Sequence, residues 1–267
     1  MLLLLSCAKT MSSRAVSQPP ITPTEPLFNS QAKKIALEML QFTTEELQQQ
    51  LKVNQQIAAE NVYRFMHFLD KSTLMYPAVL GYTGIVFQQL GAKEWDKEMW
   101  VKAQKQLRFT SFCYGILRPT DCISPYRLEG TISLPLTKEK DLFHYWQAYT
   151  TKALLTDSLA AGGSLINLAS GEMRRLFDWK KLTEELTVIT PEFLVEKNGK
   201  WKQIVVYTKM ARGQLARFLL SEENDLPLLD KIKSFHWQGY TYNEALTIER
   251  AAKQKKGEIL LTFSLSS

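Results

Sequence analysis

The stretch Met1-Leu2-Leu3-Leu4-Leu5-Ser6-Cys7-Ala8-Lys9-Thr10 admits two readings, and the fold class turns on the choice between them. Leu4-Leu5-Ser6-Cys7 mimics the cleavage box of a bacterial lipoprotein. No Lys or Arg precedes the apolar run, however, and Lys9 and Arg14 follow it. The run is also only about five residues long, short of the roughly 7–15 that a signal-peptide core requires. A short buried strand ending in a polar loop is the better reading, and it predicts a sheet that begins with the first residues.

Further strands are expected over residues 109–117 and 164–169, on both sides of Asn198-Gly199 (a strong hairpin signal), and over 258–265 after the polar run 250–256. Between them lie helical patterns. Residues 31–41 and about 55–69 carry apolar residues at helical spacing. Thr43 with Glu46 forms a capping box for a helix running to about residue 52. Four prolines at 19, 20, 23 and 26 keep residues 17–26 extended. The stretch 76–91, with Gly81, Gly84 and Gly91, reads as turn-rich or briefly helical. Helices follow over 93–107, over 137–161 (entered through Thr137 and left at Gly162-Gly163) and over 209–221. Strands at both ends must each find a neighbour. The economical arrangement is an α+β fold: a single mixed β-sheet surrounded by helices, with a helical N-terminal third, forming one domain over 1–267.

With 267 residues and 45% hydrophobic content the chain can bury a full core, and 22% charged residues excludes a disordered or fibrous class. A net charge of +6 and an isoelectric point near 9.1 favour acidic partners. Cys7, Cys113 and Cys122 make neither a disulfide framework nor a zinc spacing, which fits a reducing compartment. No apolar run approaches the ~20 residues of a membrane span. Phosphate-loop, dinucleotide, nucleophile-elbow and zincin motifs are absent, and His67, His144 and His236 are not spaced as helix-borne ligands. The sequence therefore names no metal, no cofactor and no catalytic residue.

Four stretches carry the polar signals. Leu117-Arg118-Pro119-Thr120-Asp121, followed by Pro125-Tyr126-Arg127-Leu128-Glu129, places two arginines, a tyrosine and two carboxylates in a loop after a strand. Arg118 and Arg127 offer planar forks suited to phosphate or carboxylate. An internal network, with Asp121 and Glu129 neutralising both arginines, explains the same residues equally well. In Val205-Val206-Tyr207-Thr208-Lys209-Met210-Ala211-Arg212-Gly213, continuing to Arg217, a β-branched strand runs into a helix whose first turn holds Lys209 and Arg212. Cations there oppose the helix dipole, and a bound anion would reverse the sign. Gly213 permits close approach, at about 1 kcal/mol of helix stability. Ile166-Asn167-Leu168-Ala169-Ser170-Gly171-Glu172 delivers Asn167, Ser170 and Glu172 to a strand end, where open sheets place ligands. Ser6, Lys9 and Thr10 leave the first strand in the same fashion. One shared cleft follows if those strands are parallel neighbours.

Together the four stretches resemble the YaaA family of bacterial peroxide-stress proteins. Ser6-Cys7-Ala8-Lys9-Thr10 is similar to that family's opening S-P-A-K-T. Residues 114–121 and 125–129 resemble its Y-G-x-L-R-P-x-D and P-Y-R-L-E, residues 166–172 its I-N-L-A-S-x-E, and residues 209–213 its K-x-A-R-G. The resemblance implies a cytoplasmic α+β protein that protects against hydrogen peroxide. It also implies binding of DNA through a helix-hairpin-helix-like element and a positively charged cleft, and limiting of iron-driven damage, with no agreed reaction. Cys7 replaces the usual proline, and Gly171 stands where an acidic or amide residue is common. Phe112 stands where relatives often carry glycine, which counts against phosphate binding through hairpin amides but leaves the strand-end cleft intact.

DNA is thus the expected partner, and neither a membrane nor a protein partner is indicated. The alternative is an enzyme acting on a phosphorylated or nucleotide-like small molecule. Lys9, Arg118, Arg127 and Arg212 would hold the anion, and Glu172 or Glu129 would move protons. Iron sequestration by histidines and carboxylates is a weaker reading. So is a peroxide-sensing Cys7 whose pKa the nearby Lys9 would lower.

Overall fold

The computed structural model describes residues 1–70, 73–221, 225–251 and 257–265. Part of the polar run 250–256, residues 252–256, lies outside them. The strands are β1 (Leu2–Leu5), β2 (Tyr76–Pro77), β3 (Leu107–Ser111), β4 (Gly115–Leu117), β5 (Cys122–Ile123), β6 (Ser164–Leu168), β7 (Thr187–Lys197), β8 (Lys200–Lys202), β9 (Thr241–Tyr242) and β10 (Glu258–Leu265). The helices are α1 (Asn29–Met39), α2 (Thr44–Leu51), α3 (Gln55–Met66), α4 (Ala78–Gly81), α5 (Ile85–Leu90), α6 (Lys97–Gln106), α7 (Leu142–Ala160), α8 (Trp179–Glu185), α9 (Val205–Ser221), α10 (Leu228–Lys233) and α11 (Glu244–Ala251).

One mixed sheet of eight strands runs β4-β3-β1-β6-β7-β10-β9, with β8 paired to β7. Its five central members, β3, β1, β6, β7 and β10, are mutually parallel. β4, β8 and β9 join antiparallel at the margins, and β2 with β5 forms a separate small pair. The opening leucines make β1 a central strand, between β3 and β6, and all four are fully buried. A strand covered by helices on both faces needs a continuous apolar run rather than an alternating one, and this run is such a pattern. The fold is therefore the expected α+β arrangement, with helices α1–α4 and most of α5 in the N-terminal third.

Four local expectations need correction. Residues 109–117 form a hairpin, β3 and β4, instead of one strand. Ser111 Oγ accepts the N–H groups of Cys113 and Tyr114 in the turn. Gly115 leaves it with φ of +71°, so close to Trp146 that a Cβ would lie 2.7 Å from the indole ring. The longest helix starts at Leu142, capped by the Asp141 carboxylate on the His144 N–H at 2.9 Å. The Thr137 N–H instead donates to buried Glu38 at 2.8 Å. The predicted 93–107 helix begins at Lys97, where the Asp96 carboxylate caps the Met99 N–H at 2.8 Å. Finally, Val205 and Val206 are helical, so α9 starts four residues earlier than predicted. Their β-branching is a weak preference, and the packing of α9 on α5 overrides it. Lys209 and Arg212 are consequently the fifth and eighth residues of α9, beyond its first turn, and the conflict with the helix dipole disappears.

Candidate anion-binding site

Parallel pairing brings Leu5 beside both Phe109 and Leu168, so the chain leaves β1, β3 and β6 along one edge of the sheet. The loops that follow, 6–10 and 169–172, line one cavity of about 280 Å³. Ser6 Oγ ties them together by accepting the Ser170 N–H at 2.8 Å. The first loop also presses on Gly84, where a Cβ would come within 2.7 Å of the Ala8 side chain. Ser6, Lys9, Thr10, Tyr126, Arg127, Ser170, Glu172, Lys209 and Arg212 all line this cavity.

Two arginines there share an unusual condition: the Nε atoms of Arg127 and Arg212 are buried without a hydrogen-bond partner. Arg127 is held by its backbone, its N–H donating to Asn61 Oδ1 at 2.8 Å and its carbonyl accepting from Asn61 Nδ2 at 2.9 Å. Burial lowers the Arg212 guanidinium from its ordinary 12.5 to about 10. A buried guanidinium donor left unbonded costs free energy, and both arginines line the cavity, where their planar forks suit an entering anion. Lys209, one turn before Arg212 and exposed, stands at the mouth. Lys9 is also exposed and pairs with Glu129 at 2.8 Å.

Behind them runs a buried chain of hydroxyls, with Ser111 Oγ 2.6 Å from Tyr126 Oη, itself 2.7 Å from Tyr82 Oη. Ser111 Oγ already accepts two backbone N–H groups, so its proton donates to Tyr126. Burial holds both phenols well above their ordinary value, so they remain neutral donors. Cys7 belongs to the same floor. Its thiol is pushed up to about 12 by burial and further by the charges of Glu172 and Glu129, against the opposing hydrogen bond from Thr110. Lys9 does not lower it, and a thiolate at neutral pH is disfavoured there.

Other sequence candidates lie elsewhere. Arg118 belongs to an internal network: its Nη2 lies 2.8 Å from buried Asp121 Oδ1 and donates to the Glu25 carbonyl at 2.7 Å. Glu129 binds Lys9 instead of Arg127, so only one of the two arginines is neutralised as the network reading expects. Arg217 pairs with Glu94 at 2.8 Å and lies against Gly91. Gly213 admits no ligand; it lets α5 approach, since a Cβ there would lie 2.4 Å from the Val86 carbonyl oxygen. Asn167 turns to a neighbouring cavity of about 390 Å³, which Arg212 also lines with Arg174 and Arg250. Those two arginines are taken up by Glu258 and Glu192. Asn61, Ser111 and Tyr82 support the site but escaped the sequence reading. A polar residue on the apolar face of α3 was the only signal of Asn61. Among the described residues no three His, Cys, Asp or Glu gather as for a metal ion, and no helix is long and apolar enough to cross a membrane.

The architecture defines a class: an α+β protein with a basic cavity at the carboxyl ends of central parallel strands. Residues 1–246 match the family model described as peroxide stress protein YaaA, and the chain belongs to that family. It is 49% identical over 249 residues to a UPF0246 protein of Bacteroides fragilis, covering 93% of this chain and 96% of that one. Its identity to a UPF0246 protein of Bacteroides thetaiotaomicron is 49% over 250 residues, covering 94% and 96%. For that of Idiomarina loihiensis it is 34% over 253 residues, covering 94% and 96%.

Proposed function

We propose that this chain serves the peroxide-stress response by binding DNA through the strand-end cleft and thereby limiting iron-driven damage. The observation that carries this is the pair of buried, unpartnered guanidinium donors of Arg127 and Arg212 in one cavity, with Lys209 at its mouth. The net charge of +6 adds long-range attraction to a polyanion. Phosphates neutralised by protein cations release their counterions. Ferrous ions held in that atmosphere would leave with them, moving peroxide-driven radical formation away from the bases.

The test is fluorescence anisotropy of labelled duplex and junction DNA across a salt series, wild type beside Lys209→Ala/Arg212→Ala. Affinity should fall with log salt at a slope of about −0.9 per phosphate contacted. The double variant should lose both affinity and about two contacts of slope. Binding that ignores salt, or that the double variant retains, refutes the proposal. The cavity volume favours a second reading, a phosphorylated or nucleotide-like small molecule, because small-ligand pockets start at about 300 Å³. On that reading Glu172→Gln and Lys9→Ala abolish peroxide protection in cells, and unchanged protection disposes of it.

A further inference from the structure

A DNA duplex and this cavity do not match in scale. The cavity, about 280 Å³, is on the scale of small-ligand pockets, which start at about 300 Å³, so it has room for a group of nucleotide size and not for a duplex. An intact duplex can lie across Lys9 and Lys209 at the mouth. Its internal phosphates meet the cavity only at that mouth, whereas a terminal nucleotide can enter the space that Arg127 and Arg212 line.

Charge points to the same ligand. Lys9, Arg127, Lys209 and Arg212 line the cavity, and Glu172 lines it too, while Glu129 pairs with Lys9. Four cations less two carboxylates leave a formal +2. An internal phosphodiester carries one negative charge, whereas a phosphate monoester carries about −1.5 to −2 at neutral pH and presents three acceptor oxygens. Two separate arginine donors suit a group with several oxygens free to accept. The neutral phenol of Tyr126 on the floor adds no opposing charge.

We infer, building on the DNA-binding reading above, that the cavity receives the terminal phosphate monoester of a DNA strand, so that the protein distinguishes broken, phosphate-ended DNA from intact duplex. The fit to peroxide stress is chemical: radical cleavage of deoxyribose leaves strand ends bearing phosphate.

The experiment compares two labelled duplexes of one sequence, with every end phosphate-terminated or every end hydroxyl-terminated, at one salt concentration. The phosphate-ended duplex should bind about tenfold or more tightly, the scale of one charge-assisted contact. Deoxyadenosine monophosphate should compete away that excess, and closed circular duplex should not. Arg127→Gln and Arg212→Gln should each bring the ratio to within about twofold while circular dichroism stays native. The two variants lie on different elements, so misfolding of one leaves the other to test. Equal, salt-dependent binding of both duplexes by wild type overturns the end-recognition proposal and leaves the DNA reading standing. Binding of the mononucleotide with no binding of either duplex overturns both. A ratio that survives in the folded variants also overturns the proposal, because it puts the recognition outside this cavity.

Discussion

Arg212→Met should make the ligand-free protein more stable and the phosphate-bound protein less so. Burial lowers the guanidinium from 12.5 to about 10. Because the folded value is the lower one, the unfolded chain holds this proton more tightly. The charge therefore opposes folding at every pH below about 10, and the loss is recovered as pH rises from there toward 12.5. Each tenfold change in proton affinity corresponds to about 1.4 kcal/mol, which sets an upper bound of roughly 3 kcal/mol at neutral pH. Residual solvation of a partly exposed side chain reduces this, so a gain of about 1–2 kcal/mol is expected from methionine, which retains the packing of the arginine stem. The assay is urea unfolding in chloride and in sodium phosphate at matched ionic strength. Phosphate at ten times its dissociation constant should stabilise wild type by about 1.4 kcal/mol and leave Arg212→Met unmoved. A variant less stable than wild type in chloride would refute the reasoning. So would equal stabilisation of both proteins by phosphate.

Three further outcomes follow from the packing. Gly213→Ala should destabilise by about 1–2 kcal/mol despite alanine's better helix propensity, because its Cβ would meet the Val86 carbonyl at 2.4 Å; a rise in the urea midpoint would contradict this. Asp121→Asn should cost about 2–4 kcal/mol, since buried Asp121 receives Thr24 Oγ1 at 2.6 Å, the Arg118 N–H at 2.8 Å and Arg118 Nε at 3.0 Å; the folded fraction should keep its affinity for DNA. Cys7, with its thiol raised to about 12, should alkylate at a rate that climbs tenfold per pH unit up to that value. The contribution of this thiol to stability is constant below pH 9 and is lost as pH rises from 9 through 12. Rapid labelling of Cys7 at pH 7, followed by mass spectrometry, would count against its buried, carboxylate-flanked setting.

Several features were legible because their causes are local. An unbroken apolar run of four residues with polar residues after it, and no basic residue before it, reads best as a short, doubly covered strand, and Leu2–Leu5 form such a strand in the parallel core. Thr43 and Glu46 contain both halves of a capping box, and the two reciprocal bonds form as written, at 3.2 and 2.8 Å. Asn198-Gly199 turns the β7–β8 hairpin, both residues having positive φ. The polar clusters after β1 and β6 were visible as candidates for one cleft, since strand ends in α/β sheets commonly carry ligands.

What stayed hidden depended on neighbours distant in sequence. Arg118 and Arg127 look equivalent in the chain, yet Asp121 claims the first across a tight turn, while Lys9, arriving from the end of β1, takes Glu129 away from the second. The start of α9 and the purpose of Gly213 both follow from contact with α5, more than a hundred residues earlier. Thr137 binds Glu38, ninety-nine residues away, through its N–H, and the capping role falls to Asp141. Propensity and capping act over one or two turns and are written in sequence. Which charge remains unpaired, and which helix face must be bare, are decided by which surfaces meet, and the folded chain alone determines that.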